Sequence, residues 1–244
     1  MLLNTRGLVI REQTVKENDR IITVLTADHG IIRSCVYGAK KLQSRLEAST
    51  QLFSYAEFSF SKKGEYYTVD HAVTKEIFFE LRNNIENIAI AQYFAQLEEE
   101  LATAGEDGEE YLRLMLNSLH MLSSKSRPIN QIKAIFEMRI ITLAGYMPDI
   151  TMCENCGKYE DDIFYFDIEK GTVKCPGCSD KKGVEITGGM LHAMRHICYS
   201  DFEKIFSFSL SDEGLERLSK LTEAYLQNKV GRKFKTLEFY YSLV

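Results

Sequence analysis

The sequence predicts an α+β protein: a five-stranded β-barrel at the N-terminus, then a helical domain carrying an inserted four-cysteine zinc ribbon. Three observations carry this reading. Short β-branched runs punctuated by glycine turns fill residues 1–76. From Lys75 onward the apolar period changes to three and four residues. Two Cys-x-x-Cys pairs then interrupt the helical pattern. The expected domains are 1–76 for the barrel, 77–150 with 183–244 for the helical domain, and 151–182 for the ribbon.

The barrel strands are read in order. Gly7-Leu8-Val9-Ile10-Arg11 opens the pattern, and Arg20 to Thr26 continues it with β-branched residues. Asp28-His29-Gly30 supplies a turn whose glycine can take positive φ. Ile31 to Tyr37 makes the third strand, Leu52 to Phe60 the fourth and Tyr66 to Val73 the fifth, with Lys62-Lys63-Gly64-Glu65 as a hairpin turn. Five strands is the count of the OB fold, and an SH3-like barrel fits nearly as well. Pattern alone leaves both open. The one long connection, Gly38 to Thr50, carries Lys40, Lys41, Gln43, Ser44, Arg45 and Ser49. A long basic loop on a rigid barrel is a natural place for function.

Helical spacing then takes over. Ile77, Phe78, Leu81, Ile85, Ile88, Ala91, Phe94 and Leu97 form the apolar stripe of an amphipathic helix or helix pair. Tyr111 to Leu122 marks another helix, and Ile132 to Leu143 a third between Pro128 and Gly145. After the cysteines, spacing resumes through Met190 to Cys198, Leu215 to Leu226 and Phe234 to Tyr240.

With 244 residues, 45% hydrophobic and 27% charged, the composition is that of an ordinary folded chain rather than a disordered one. No apolar stretch is long enough to cross a bilayer, and Met1 to Arg6 lacks the run of a signal peptide, so a cytoplasmic setting with reduced thiols is expected. The net charge of −5 hides an uneven distribution. Leu97 to Glu110 carries seven acids and no base, whereas Arg33 to Leu46 carries four bases and no acid, and Lys229 to Lys235 is also basic.

Cys153-x-x-Cys156 and Cys175-x-x-Cys178 stand eighteen residues apart, the double-knuckle spacing of a four-cysteine zinc site. Two residues between thiols let the chain fold back so that both sulfurs reach one metal at about 2.3 Å. Gly157 and Gly177 ease the tight backbone, and Ile163 to Asp167 with Thr172 to Lys174 reads as a hairpin between the knuckles. Fortuitous pairs or redox dithiols are the alternatives. A closed four-sulfur shell leaves no open coordination position, so one Zn²⁺ in a structural role is expected. Cys35 and Cys198 lie outside the pattern and suit buried positions.

Signals for catalysis are weak. Gly183 to Gly189 has the glycines of a phosphate loop without its lysine, and its Thr187 suits a helix cap better. His192 and His196 fall four apart, but Ala193 stands where a zinc protease needs glutamate. Glu98-Glu99-Glu100 reads as a solvated helix face. No catalytic residue is assigned. The basic groups point instead to a polyanion: Arg33, Lys40, Lys41 and Arg45 can neutralise phosphates, and Tyr37 can stack on a base. Lys229, Arg232, Lys233 and Lys235 form a second, weaker set, since basic residues also suit helix ends. The bland alternative for either set is a solvated surface.

The N-terminal string Gly7-Leu8-Val9-Ile10-Arg11, Asn18 to Thr26, His29-Gly30, Gly38-Ala39-Lys40-Lys41 and Ser44-Arg45-Leu46 resembles the RecO family of bacterial DNA repair proteins. So does Gly145-Tyr146-Met147-Pro148 leading from a helical domain into the ribbon. The resemblance implies an OB barrel, binding of single- and double-stranded DNA, and annealing of complementary strands. It also implies work with RecR to load RecA onto DNA coated by single-stranded-DNA-binding protein, whose C-terminal tail is a further expected partner. A nucleoid-associated cytoplasmic protein, non-enzymatic and without membrane contact, is the reading that follows. The competing reading is a scaffold that binds proteins only.

Overall fold

The computed structural model describes residues 2–15, 17–41, 44–64 and 66–244, with the Lys63 side chain excepted. The chain divides into two compact units, residues 1–123 with 235–244, and residues 124–234.

In the first unit, β1 (Leu2–Thr14), β2 (Arg20–Thr26), β3 (Gly30–Val36), β4 (Ser54–Lys63) and β5 (Tyr66–Ile77) close a barrel in the order β1-β2-β3-β5-β4. The thirteen-residue β1 serves both halves, pairing with β4 through Leu2 to Leu8 and with β2 through Gly7 to Thr14. It can do so because Gly7 sits at the crossover. A Cβ there would lie 2.5 Å from Val24 Cγ1, so only glycine permits the close approach. β3 closes against β5 in parallel, Ser34 opposite Tyr67 and Cys35 opposite Thr68. Val9, Ile22, Val24, Ile32, Val36, Phe58, Phe60 and Val69 fill the interior, as the period-two alternation requires. Gly30, with φ of 55°, makes the expected turn between β2 and β3.

The strand count was legible in sequence; strand ends were not. β4 continues through Lys62 and Lys63, residues expected in the turn, and Glu65 lies outside the described residues. Ile77 ends β5, and Phe79–Asn83 form a 3₁₀ turn before α1 (Ile85–Leu101) starts behind the Asn84 cap. The expected apolar stripe from Ile77 therefore merges three elements, and Ile85 is 59% exposed. α2 (Glu109–Ser124) ties to α1 through Asn87 Nδ2 and the Leu122 carbonyl at 3.1 Å.

The second unit contains α3 (Ile129–Leu143), β6 (Ile163–Asp167), β7 (Thr172–Lys174), β8 (Val184–Thr187), α4 (Gly188–Tyr199) and α5 (Asp212–Val230). The short α6 (Lys235–Tyr241) belongs to the first unit, where Thr236 donates to Gln96 of α1 at 2.6 Å. The sheet order is β7-β6-β8. β8 is a strand the sequence reading took for loop, while its Thr187 does accept from the Met190 N–H and cap α4. Lys133 of α3 is buried between α3 and α5, 2.9 Å from both Glu137 and Glu223. Among the described residues no helix is long and apolar enough to cross a membrane.

Candidate metal centre and basic barrel surface

The ribbon brings the four expected cysteines together. The Sγ atoms of Cys153, Cys156, Cys175 and Cys178 all lie within 4.8 Å of one another, the one such group among the described residues. A tetrahedral shell at about 2.3 Å per sulfur sets its edges near 3.8 Å. The Cys156 and Cys175 sulfurs are 3.6 Å apart, so the donor set fits an ion of that class. Local turns build the site. Gly157 N–H bonds the Cys153 carbonyl at 2.9 Å with φ of 72°, and Cys178 N–H bonds the Cys175 carbonyl at 3.0 Å. Gly177 takes no positive φ and has open space around it, so the strain relief expected there is needed only at Gly157.

The thiols show why a cation belongs at this point. Burial opposes ionisation of Cys153, yet backbone N–H donors of Cys175, Cys156 and Asn155 bring its thiol down to about 6. Cys178, beside Cys156 and Cys175, is pushed up to about 12. Four neighbouring sulfurs cannot all ionise against one another without a positive charge among them.

α4 and α5 hold the ribbon in place. Arg195 of α4 donates to the Ile150 carbonyl at 2.8 Å and the Tyr159 carbonyl at 2.9 Å, bracketing the first knuckle. Tyr225 of α5 packs edge-on to Phe166 and donates to the Tyr146 carbonyl at 2.9 Å. His196 is engaged by the Lys204 carbonyl at 2.7 Å and the Ser200 hydroxyl at 3.1 Å, and His192 stacks edge-on to Tyr159. The histidine pair is thus accounted for by local contacts.

The expected DNA-binding residues of the barrel all face solvent. Arg33 lies on the outer face of β3, and Tyr37, 65% exposed, follows the strand. The long loop is anchored from beneath. Ala39 enters the barrel core, and Leu46 packs against it. Asp19 accepts from the Gly38 N–H at 2.8 Å, and the buried Arg20 donates to the Glu47 carbonyl at 3.1 Å. Lys40, Lys41 and Arg45 are exposed beside these anchor points. Lys40 donates to Thr14 Oγ1 at 2.8 Å; among the described residues Arg33, Lys41 and Arg45 make no ion pair. Gln43 lies outside the described residues.

The C-terminal set is less available. Lys229 is half-buried, its ammonium 2.6 Å from the Glu169 carbonyl and over the Tyr225 ring. Arg232 stacks on Phe234 at 5.0 Å, while Lys233 and Lys235 are exposed. Sequence reasoning also missed Glu98. It is no part of a solvated face: its side chain is fully buried, with no hydrogen-bond partner among the described residues. Burial holds its carboxyl well above the usual range. Its place one turn beyond Phe94, on the apolar stripe, was the available signal.

The comparisons agree with this architecture. Residues 1–78 match the family described as Recombination protein O N terminal, and residues 82–238 match Recombination protein O C terminal. A DNA repair protein RecO from Acetivibrio thermocellus is 33% identical over 239 residues, covering 97% of this chain and 95% of its own. Those from Caldicellulosiruptor bescii and Alkaliphilus metalliredigens are each 27% identical, covering 98% of both chains. The chain belongs to the RecO family of DNA repair proteins.

Proposed function

We propose that the protein is a non-enzymatic mediator of recombination and repair, cytoplasmic and nucleoid-associated, that binds single- and double-stranded DNA and anneals complementary strands. With RecR it would load RecA onto DNA coated by single-stranded-DNA-binding protein, engaging the C-terminal tail of that protein. The observation that carries the reading is the set of exposed cations, Arg33, Lys40, Lys41 and Arg45, on an OB-type barrel that anchors the loop through Gly38, Ala39 and Leu46. Such groups release counterions from phosphates, and Tyr37 beside them offers a stacking face. Lys229, Arg232, Lys233 and Lys235 are proposed as a secondary contact, with Lys233 and Lys235 the more available pair.

Annealing needs no hydrolysis. A surface that neutralises two backbones lowers their repulsion, and base pairing supplies the driving force. The ion held by Cys153, Cys156, Cys175 and Cys178 is proposed to be one Zn²⁺, which would lock the ribbon without touching the nucleic acid. The test is annealing of complementary strands already coated by their binding protein. Duplex should form faster with the protein and without ATP. An unchanged rate, together with no salt-sensitive mobility shift on bare single strands, would favour the protein-only scaffold.

A further inference from the structure

The outer faces of β1, β2 and β3 carry a second arrangement of charge. Arg11 of β1 lies opposite Thr23 of β2, and Thr23 lies opposite Arg33 of β3, so two guanidinium groups flank one threonine in a single cross-strand row. Adjacent strands are about 4.8 Å apart, so the two arginine backbones stand roughly 10 Å from each other. Together with Gln13, Ile21 and Glu99 of α1, these residues line a cleft of about 60 Å³. Glu99 is the one acid among the lining residues. Its Oε2 is 3.4 Å from Arg11 Nη1, a long contact with 64% of the arginine side chain exposed.

The geometry points to a phosphate subsite for a polynucleotide backbone, formed by Arg11, Thr23 and Arg33, with the Glu99 carboxylate as a tethered competitor that a phosphodiester displaces. This deepens the DNA-binding reading and rests on it. Guanidinium forks suit the tetrahedral oxyanion, and a hydroxyl between them adds a donor. The carboxylate already sits where an anion is wanted, but an exposed ion pair of this length is weak and exchangeable. Arg11 and Glu99 also border a neighbouring cleft of about 350 Å³ with Gln92 and Gln96 of α1. The two clefts share Arg11 and Glu99 in their linings. Glu99 of α1 thus edges the path and sets its affinity.

The experiment titrates labelled oligo-dT with the full chain at several salt concentrations, using Glu99→Gln and, as a charge control on the same helix, Glu100→Gln. Glu99→Gln should bind roughly two- to fivefold tighter, the range for releasing an exposed pair. Its log–log salt slope should stay close to that of wild type, because the phosphate displaces the carboxylate in both and the number of phosphate contacts is unchanged. Adding Arg11→Ala should cancel that gain and flatten the slope by about 0.7, one lost single-strand phosphate contact, with unfolding midpoints unchanged throughout. If Glu99→Gln matches Glu100→Gln while wild type binds, the subsite is wrong and the DNA reading stands. A wild type that binds no DNA overturns both. Saturable uptake of inorganic phosphate by Glu99→Gln without tighter oligonucleotide binding overturns the assignment to a polynucleotide.

Discussion

Replacing Lys133 with methionine isolates the buried charge network that joins α3 to α5. The ammonium sits 2.9 Å from Glu137 and 2.9 Å from Glu223, with the Ser219 carbonyl and hydroxyl at 3.3 and 3.4 Å. The Lys133 and Glu137 side chains are 1% and 0% exposed, so water cannot replace the lost cation. Methionine keeps the apolar stem and its packing, and the remaining effect is electrostatic. Breaking a buried pair from one side costs about 3–5 kcal/mol, because a carboxylate is left in an apolar setting. Removing Glu137 as well should recover part of that. In Lys133→Met with Glu137→Leu, Thr222 loses its 2.7 Å contact to Glu137 but keeps the Ser219 carbonyl at 3.1 Å, and Glu223, 20% exposed, reaches solvent. Urea unfolding followed by circular dichroism should show a large midpoint loss for the single variant, and the double variant recovering at least about 1 kcal/mol. A single variant within about 0.5 kcal/mol of wild type, the range of an ordinary surface substitution, would refute the account of the network.

Three further outcomes are expected. Native mass spectrometry of protein purified without chelator should show one zinc per chain, lost in Cys153→Ser; no metal in the wild type contradicts the assigned donor set. Chelation should loosen the ribbon and lower thermal stability, since structural zinc contributes about 10–16 kcal/mol of apparent binding energy in small peptides. Glu98 binds its proton more tightly folded than unfolded, so its contribution to stability falls as pH rises above about 4.5 and levels off above the raised folded value. Glu98→Gln should remove that fall, read as the difference between wild-type and variant urea midpoints at pH 5 and pH 8. A pH-independent difference contradicts the buried carboxyl.

What the sequence made legible follows the physics of each element. The four cysteines and the hairpin between them were readable because two Cys-x-x-Cys pairs at this spacing suit one coordination shell. The barrel was readable as five strands because its interior alternates, but its closure depends on β1 pairing with both β2 and β4 across Gly7, a long-range fact. β8 was missed because Val184–Thr187 is four residues long and framed by glycines, the composition of a loop. Glu98 was misread because a charged run carries no mark of which member turns inward. The Arg11–Thr23–Arg33 row was invisible because its members are paired by register across three strands rather than by proximity in the chain.

The most direct test of DNA binding through the pinned loop is the salt dependence of single-strand affinity for wild type and for Lys40→Ala/Lys41→Ala/Arg45→Ala. Each lost phosphate contact removes about 0.7 from the log–log slope, so the triple variant should bind more weakly and its slope should flatten by about 2. An affinity and slope equal to wild type would show that these cations meet only water.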